Sequence, residues 1–148
     1  MIHLRDRLSP TLPVDLTEQI EPTRLMRMVF DALDATNWPR ATTAMHAVLP
    51  TVLAYCYATG LSSSAQIEAA AAHDPHVRYL CAKSAPTFDE VRQFRRQNIS
   101  PLRETLARVL FEAWSELHGG NVSFLPFIAE ADYRLSLAVA ADSAAMDI

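Results

Sequence analysis

Three arginines, Arg92, Arg95 and Arg96, follow closely on a Thr87-x-x-Glu90 sequence, with Gln93 and Gln97 interleaved among them. A guanidinium group bonds phosphate oxygens, or the outer edge of guanine, through two donors, and a glutamine amide reads adenine in a similar way. On an exposed helix such residues are the equipment of a nucleic-acid reader. Thr87 and the free amides at a helix start are a second means of holding a phosphate. The blander reading is a solvated helix whose arginines only keep the protein in solution.

Charge is unevenly spread. The 148 residues carry a net −4, which argues against a general polyanion binder. Between Arg78 and Arg108, however, Arg78, Lys83, Arg92, Arg95, Arg96, Arg103 and Arg108 outweigh Asp89, Glu90 and Glu104, leaving that segment at +4 and the remainder at −8. A local cationic patch on an acidic body attracts phosphates, and Lys83, Arg103 and Arg108 are placed to touch a nucleic-acid backbone.

Other constellations carry less. His73-x-x-His76 with Cys81 and Cys56 has the residue types of a metal site but no common zinc spacing, so no metal and no cofactor are expected. Cys56 with His46 lacks the third partner and oxyanion loop of a nucleophile pair. Trp38 and Trp114 read as core anchors, and the two cysteines as buried thiols of a reducing compartment.

The elements that must position the arginines are helical. Only three glycines and many alanines and leucines favour an all-α chain. Residues 1–20, with Pro10 and Pro13, lack periodicity and read as an extended arm. Glu21-Pro22 opens a helix bearing Leu25, Met26, Val29, Phe30 and Leu33 on one face, stopped by Asn37-Trp38-Pro39. Thr42 to Thr59 is a second helical region, divided or kinked at Pro50 and apolar nearly all round from Val52 to Tyr57. Ser62-Ser63-Ser64 caps a helix through Ala72, and Asp74-Pro75 restarts a short one with Val77, Tyr79 and Leu80.

Thr87 and Glu90 form a capping box for the arginine helix, where Phe88, Val91 and Phe94 share one sector. Arg95 falls inside that sector and must extend to the surface or be paired. Ser100-Pro101 caps a longer helix with a seam of Leu102, Leu106, Val109, Leu110, Ala113 and Leu117, ended by Gly119-Gly120. A last helix starts at Pro126, and residues 140–148 are expected to fray. Across Ser62–Asn98 the order of helix, turn, short helix, turn and capped arginine helix has the layout of a helix-turn-helix reader.

An ordered series of short motifs resembles the N-terminal domain of bacterial transposases of the IS5/IS1182 type. The run Pro50-Thr-Val-Leu-Ala-Tyr-Cys-Tyr-Ala-Thr-Gly-Leu-Ser-Ser-Ser64 is similar to that family's P-x-x-L-x-x-x-L-Y-G-x-S-S segment. It is followed, as in the family, by Ile67-Glu68-Ala69-Ala70, by Val77-Arg78-Tyr79-Leu80, and by Pro86 through Phe94-Arg95-Arg96. The resemblance extends more loosely from about residue 13 to about residue 118. It implies a helical domain that engages transposon ends and helps subunits associate. The family's catalytic domain, with an acidic triad for two metals, has no counterpart, since 30 residues follow His118 and Glu130, Asp132 and Asp142 lie in a helical context.

The expectation is therefore an all-α, compact multi-helix bundle with a helix-turn-helix-like unit. It would comprise an arm at 1–20, the transposase-like domain at 21–118 and a helical extension at 119–148. The expected function is non-catalytic binding of double-stranded DNA, at a transposon end or operator-like site, alone or as a homodimer, through Thr87, Arg92, Gln93, Arg95, Arg96, Lys83 and Arg103. The alternative is a helical protein-interaction module. No segment has the length and apolarity of a membrane span and no signal-peptide pattern opens the chain, so a cytoplasmic location is expected.

Overall fold

Pro22, whose missing N–H costs nothing at the first helical position, opens α1 (Pro22–Ala35) in the computed structural model, which describes residues 12–146. Ahead of it, Asp15 caps a single 3-10 turn over Leu16–Glu18 by accepting from the Thr17 amide, and Leu16 and Ile20 are buried. The described end of the expected arm is thus docked on the body; its first eleven residues lie outside the described part. α1 turns Leu25, Met26, Met28, Val29 and Ala32 inward, whereas Phe30, expected on the same face, is exposed.

Thr43 caps α2 (Ala44–Ala58) by accepting from the His46 amide. Pro50 lies inside this helix without dividing it. Every residue from Val52 to Ala58 is buried, so tertiary burial holds the helix together where proline removes one internal bond. Gly60 then reverses the chain at φ +90°, and a Cβ there would stand 2.8 Å from Val14 Cγ1. Glycine is required both by the left-handed backbone and by that close approach.

Ser63, with Gln66 completing a capping box, starts α3 (Ser64–His73). Asp74 ends α3 and caps α4 (Pro75–Leu80), taking the His76 and Val77 amides at 2.8 and 3.2 Å. After a turn through Ala82, the Thr87–Glu90 box opens α5 (Phe88–Gln97). Asn98 alone separates α5 from α6 (Ile99–His118), and its side chain folds back onto the Phe94 carbonyl. The expected cap at Ser100 is therefore two residues late, because Asn98 holds the cap position and proline is accommodated within the first turn. Gly119 at φ +71° ends α6, and α7 (Leu125–Met146) follows.

The seven described α-helices, with no described strand, pack around α2 and α6. α6 lies against α1, α2 and α7, while α3 carries α4 and α5 and α2 touches both. The described part of the 119–148 extension, through Met146, packs on this same core. Phe127, Ala131, Leu135 and Ala138 of α7 are buried, and Phe127 meets Phe111 of α6 edge-on at 5.3 Å. Fraying from residue 140 is overturned as far as Met146, since α7 runs to that residue and Asp142 is buried; residues 147–148 lie outside the described part. Among the described residues no helix is long and apolar enough to cross a membrane.

Candidate nucleic-acid interface

Two faces of α5 do opposite things. Val91, Phe94 and Arg95 point inward. Phe94 stacks on Trp38 at 6.0 Å with the rings 14° apart and meets His46 at 5.6 Å, and Trp38 in turn donates from its indole to Thr105 Oγ1 at 2.9 Å. These contacts fix the rotation of α5 about its own axis.

Arg95 is 2% exposed. Its Nη2 lies 2.7 Å from Asp142 Oδ2, and Nη1 donates to Tyr57 Oη and Ser64 Oγ, each at 3.3 Å. Asp142 also accepts from the Ser64 amide at 2.7 Å and from the Ser64 hydroxyl at 2.5 Å. Four helices, α2, α3, α5 and α7, meet at this charge pair. Burial alone would raise the Asp142 carboxyl, but the Ser64 bonds and Arg95 together hold it below the ordinary carboxylate value. Burial likewise works against the charged form of Arg95, and Tyr57 and Asp142 outweigh it. The Tyr57 phenol is pushed up to about 12, chiefly by burial, with Arg95 pulling the other way. The expected outward role of Arg95 is therefore corrected. A guanidinium placed on the apolar sector of α5 has been enclosed and neutralised, and it reaches no ligand outside the fold.

The start of α5 also departs from expectation. Thr87 Oγ1 accepts from the Glu90 amide at 3.2 Å, Glu90 accepts from the Thr87 amide at 3.0 Å, and Glu68 of α3 takes the Phe88 amide at 3.0 Å. Carboxylates already occupy this positive helix end, and Asp89 is exposed beside them. A phosphate expected at Thr87 would meet negative charge, so that assignment is withdrawn.

On the outer face, Gln93, Arg96 and Gln97 are exposed and line one shallow recess, with Arg92 half-buried a turn before Arg96. Arg92 and Arg96 form no ion pair among the described residues. The other expected contacts are shared with acids: Arg103 lies 3.6 Å from Asp132 and Arg108 3.5 Å from Glu104. Pairs this exposed contribute about 0–1 kcal/mol and exchange readily with other anions. Lys83 is exposed in the turn before α5.

A second buried pair escaped sequence reasoning. Arg134 Nε lies 3.1 Å from Glu130 Oε2, Nη1 donates to the carbonyls of Val14 and Tyr57 at 2.8 and 2.7 Å, and Nη2 reaches the Pro13 carbonyl at 3.1 Å. It thus fastens the N-terminal segment to the end of α2. Asp142 was legible in principle as the next position of the stripe Phe127, Ala131, Leu135, Ala138, an acid where an apolar residue belongs.

Burial pushes the Cys56 thiol well up, which keeps it protonated, and His46 packs on Phe94 rather than beside it. Among the described residues no three His, Cys, Asp or Glu side chains come together as a metal site. Compared with protein-family models, with curated proteins and with solved structures, the chain finds no match.

Proposed function

We propose that the protein is a non-catalytic DNA-binding module, derived from a transposase N-terminal domain, that reads duplex DNA with the outer face of α5. One observation carries the reading: Arg92 and Arg96 stand a turn apart without a carboxylate partner among the described residues, while Arg95, Arg103, Arg108 and Arg134 are each engaged by one. Gln93 and Gln97 flank them. Ten helical residues span about 15 Å, a fit for a major groove about 12 Å wide. α3, α4 and α5 then act as the helix-turn-helix-like unit, with Lys83 and Arg103 on the phosphate backbone. The acidic first turn of α5 faces away from the groove, so entry is by the middle and end of the helix. With about four phosphates neutralised per copy, log affinity falls with log salt at a slope of about −3.6, and useful binding calls for two copies on a symmetric site.

The test is Arg92→Ala/Arg96→Ala, measured by anisotropy against a duplex pool across salt concentrations. Binding collapses, the slope falls to about half, and the melting temperature hardly moves. Unchanged affinity refutes the proposal. A second reading, a protein-interaction module, is favoured by Leu137 and Val139, both nearly half exposed on α7. Under that reading Leu137→Asp abolishes association with a partner chain and leaves DNA affinity untouched.

A further inference from the structure

Away from α5, Arg78 on the last turn of α4 and Lys83 in the following turn line one recess of about 460 Å³. That volume lies within the usual range of small-molecule sites, about 300–1,000 Å³. Ala82, at φ +56°, brings the chain round so that Lys83 joins the same wall. No carboxylate lines the recess, and neither cation has an ion-pair partner among the described residues. Two cations left unpartnered at one concavity are a seat for an anion of more than one charge.

Tyr79 lines it too, and this residue is 72% exposed, whereas Tyr55 and Tyr57 are buried. An aromatic face kept in water beside paired cations has one economical use, which is to receive a flat ring attached to the anion. The remaining walls include Pro75, Ala71 and Ala82, small enough to leave that face open.

We infer that this recess binds a nucleotide, its phosphate held by Arg78 and Lys83 and its base stacked on Tyr79. The unit is supplied either by a free nucleotide or by a residue of a single strand. The recess shares Lys83 with the proposed duplex contacts, but Arg78 and Tyr79 lie apart from the outer face of α5, and the site stands whether or not that face reads duplex DNA.

The experiment titrates the isotope-labelled protein with thymidine monophosphate, with a short single-stranded oligothymidylate, with inorganic phosphate and with an oligoglutamate peptide, following backbone amide shifts. Shifts centred on residues 78–85 are expected with the oligothymidylate. If the monophosphate produces them as well, the source includes free nucleotides; if it does not, the source is the strand. Arg78→Ala/Lys83→Ala weakens binding at least tenfold. Tyr79→Ala weakens it about 5- to 150-fold and Tyr79→Phe restores it, as stacking requires. Arg27→Ala/Arg40→Ala, which removes the same charge elsewhere, changes nothing. The inference is overturned if neither nucleotide ligand shifts these amides, if Tyr79→Ala binds as the parent does, or if phosphate or oligoglutamate binds as tightly as the nucleotide unit.

Discussion

Removing Asp142 should be the most damaging single change to this fold. Asp142→Ala strips the counter-charge from a guanidinium that is 2% exposed and also takes two acceptors from Ser64, at 2.7 and 2.5 Å. Breaking one side of a buried ion pair costs about 3–5 kcal/mol, because the remaining charge is left uncompensated. Domains of this size have a total stability of about 5–15 kcal/mol, and each kcal/mol moves the melting temperature by about 2–4 °C, so a fall of about 6–20 °C is expected. Replacing both partners by apolar residues of similar volume, Arg95→Met with Asp142→Leu, should recover most of the loss, since no charge is then stranded. Urea unfolding followed by circular dichroism of the parent, both single variants and the pair gives the coupling energy directly.

The same pair sets an acid response. The Asp142 pKa is lowered in the fold, so its contribution is fully present above the unfolded carboxylate value, near 4, and is lost as pH falls through the folded value. The parent and Asp142→Asn should therefore converge in stability below about pH 4. A cost under about 1 kcal/mol for Asp142→Ala, or a coupling energy near zero, would refute the reasoning.

Three further outcomes are expected. Arg134→Ala removes the guanidinium donors from the carbonyls of Pro13, Val14 and Tyr57 and from Glu130, lowering stability by about 3 kcal/mol and exposing the Pro13–Val14 bond to limited proteolysis; a proteolytic pattern like the parent's counts against it. Gly60→Ala forces an L side chain into φ +90° against Val14 and should cost about 1–2 kcal/mol by denaturant midpoint, whereas an equal or higher midpoint would mean the turn is not the constraint described. Thr87→Ala removes one half of the α5 capping box and should cost about 1 kcal/mol, with faster amide exchange confined to the first turn of α5.

Much of the architecture was legible in the sequence because its signals are local. Thr87-x-x-Glu90, Ser63 before Gln66, Pro22 at a first helical position and Gly119 after the long helix each mark a boundary through hydrogen bonds made within a few residues. The apolar run Val52–Tyr57 pointed correctly to the buried central helix. What stayed hidden depends on partners far along the chain. Arg95 sat on the wrong sector of its helix, which showed that it needed a partner, but nothing near it names Asp142, 47 residues later. Pro50 lies in a continuous helix because burial from Val52 onward outweighs a local penalty. On the candidate interface, side-chain types identified Arg92, Gln93 and Arg96 as an outward set, whereas the capture of the α5 amides by Glu68 required knowing that α3 runs alongside.

Arg95 and Asp142 also bear on when, during synthesis on the ribosome, this bundle can close. Until Asp142 of α7 has emerged, the nascent chain holds a positive charge whose place in the interior has no counter-ion, and closing α5 onto α2 and α3 is opposed. α7 thus completes the interior, and nascent chains arrested before it should remain open to chaperones even though α1 to α6 have already been made.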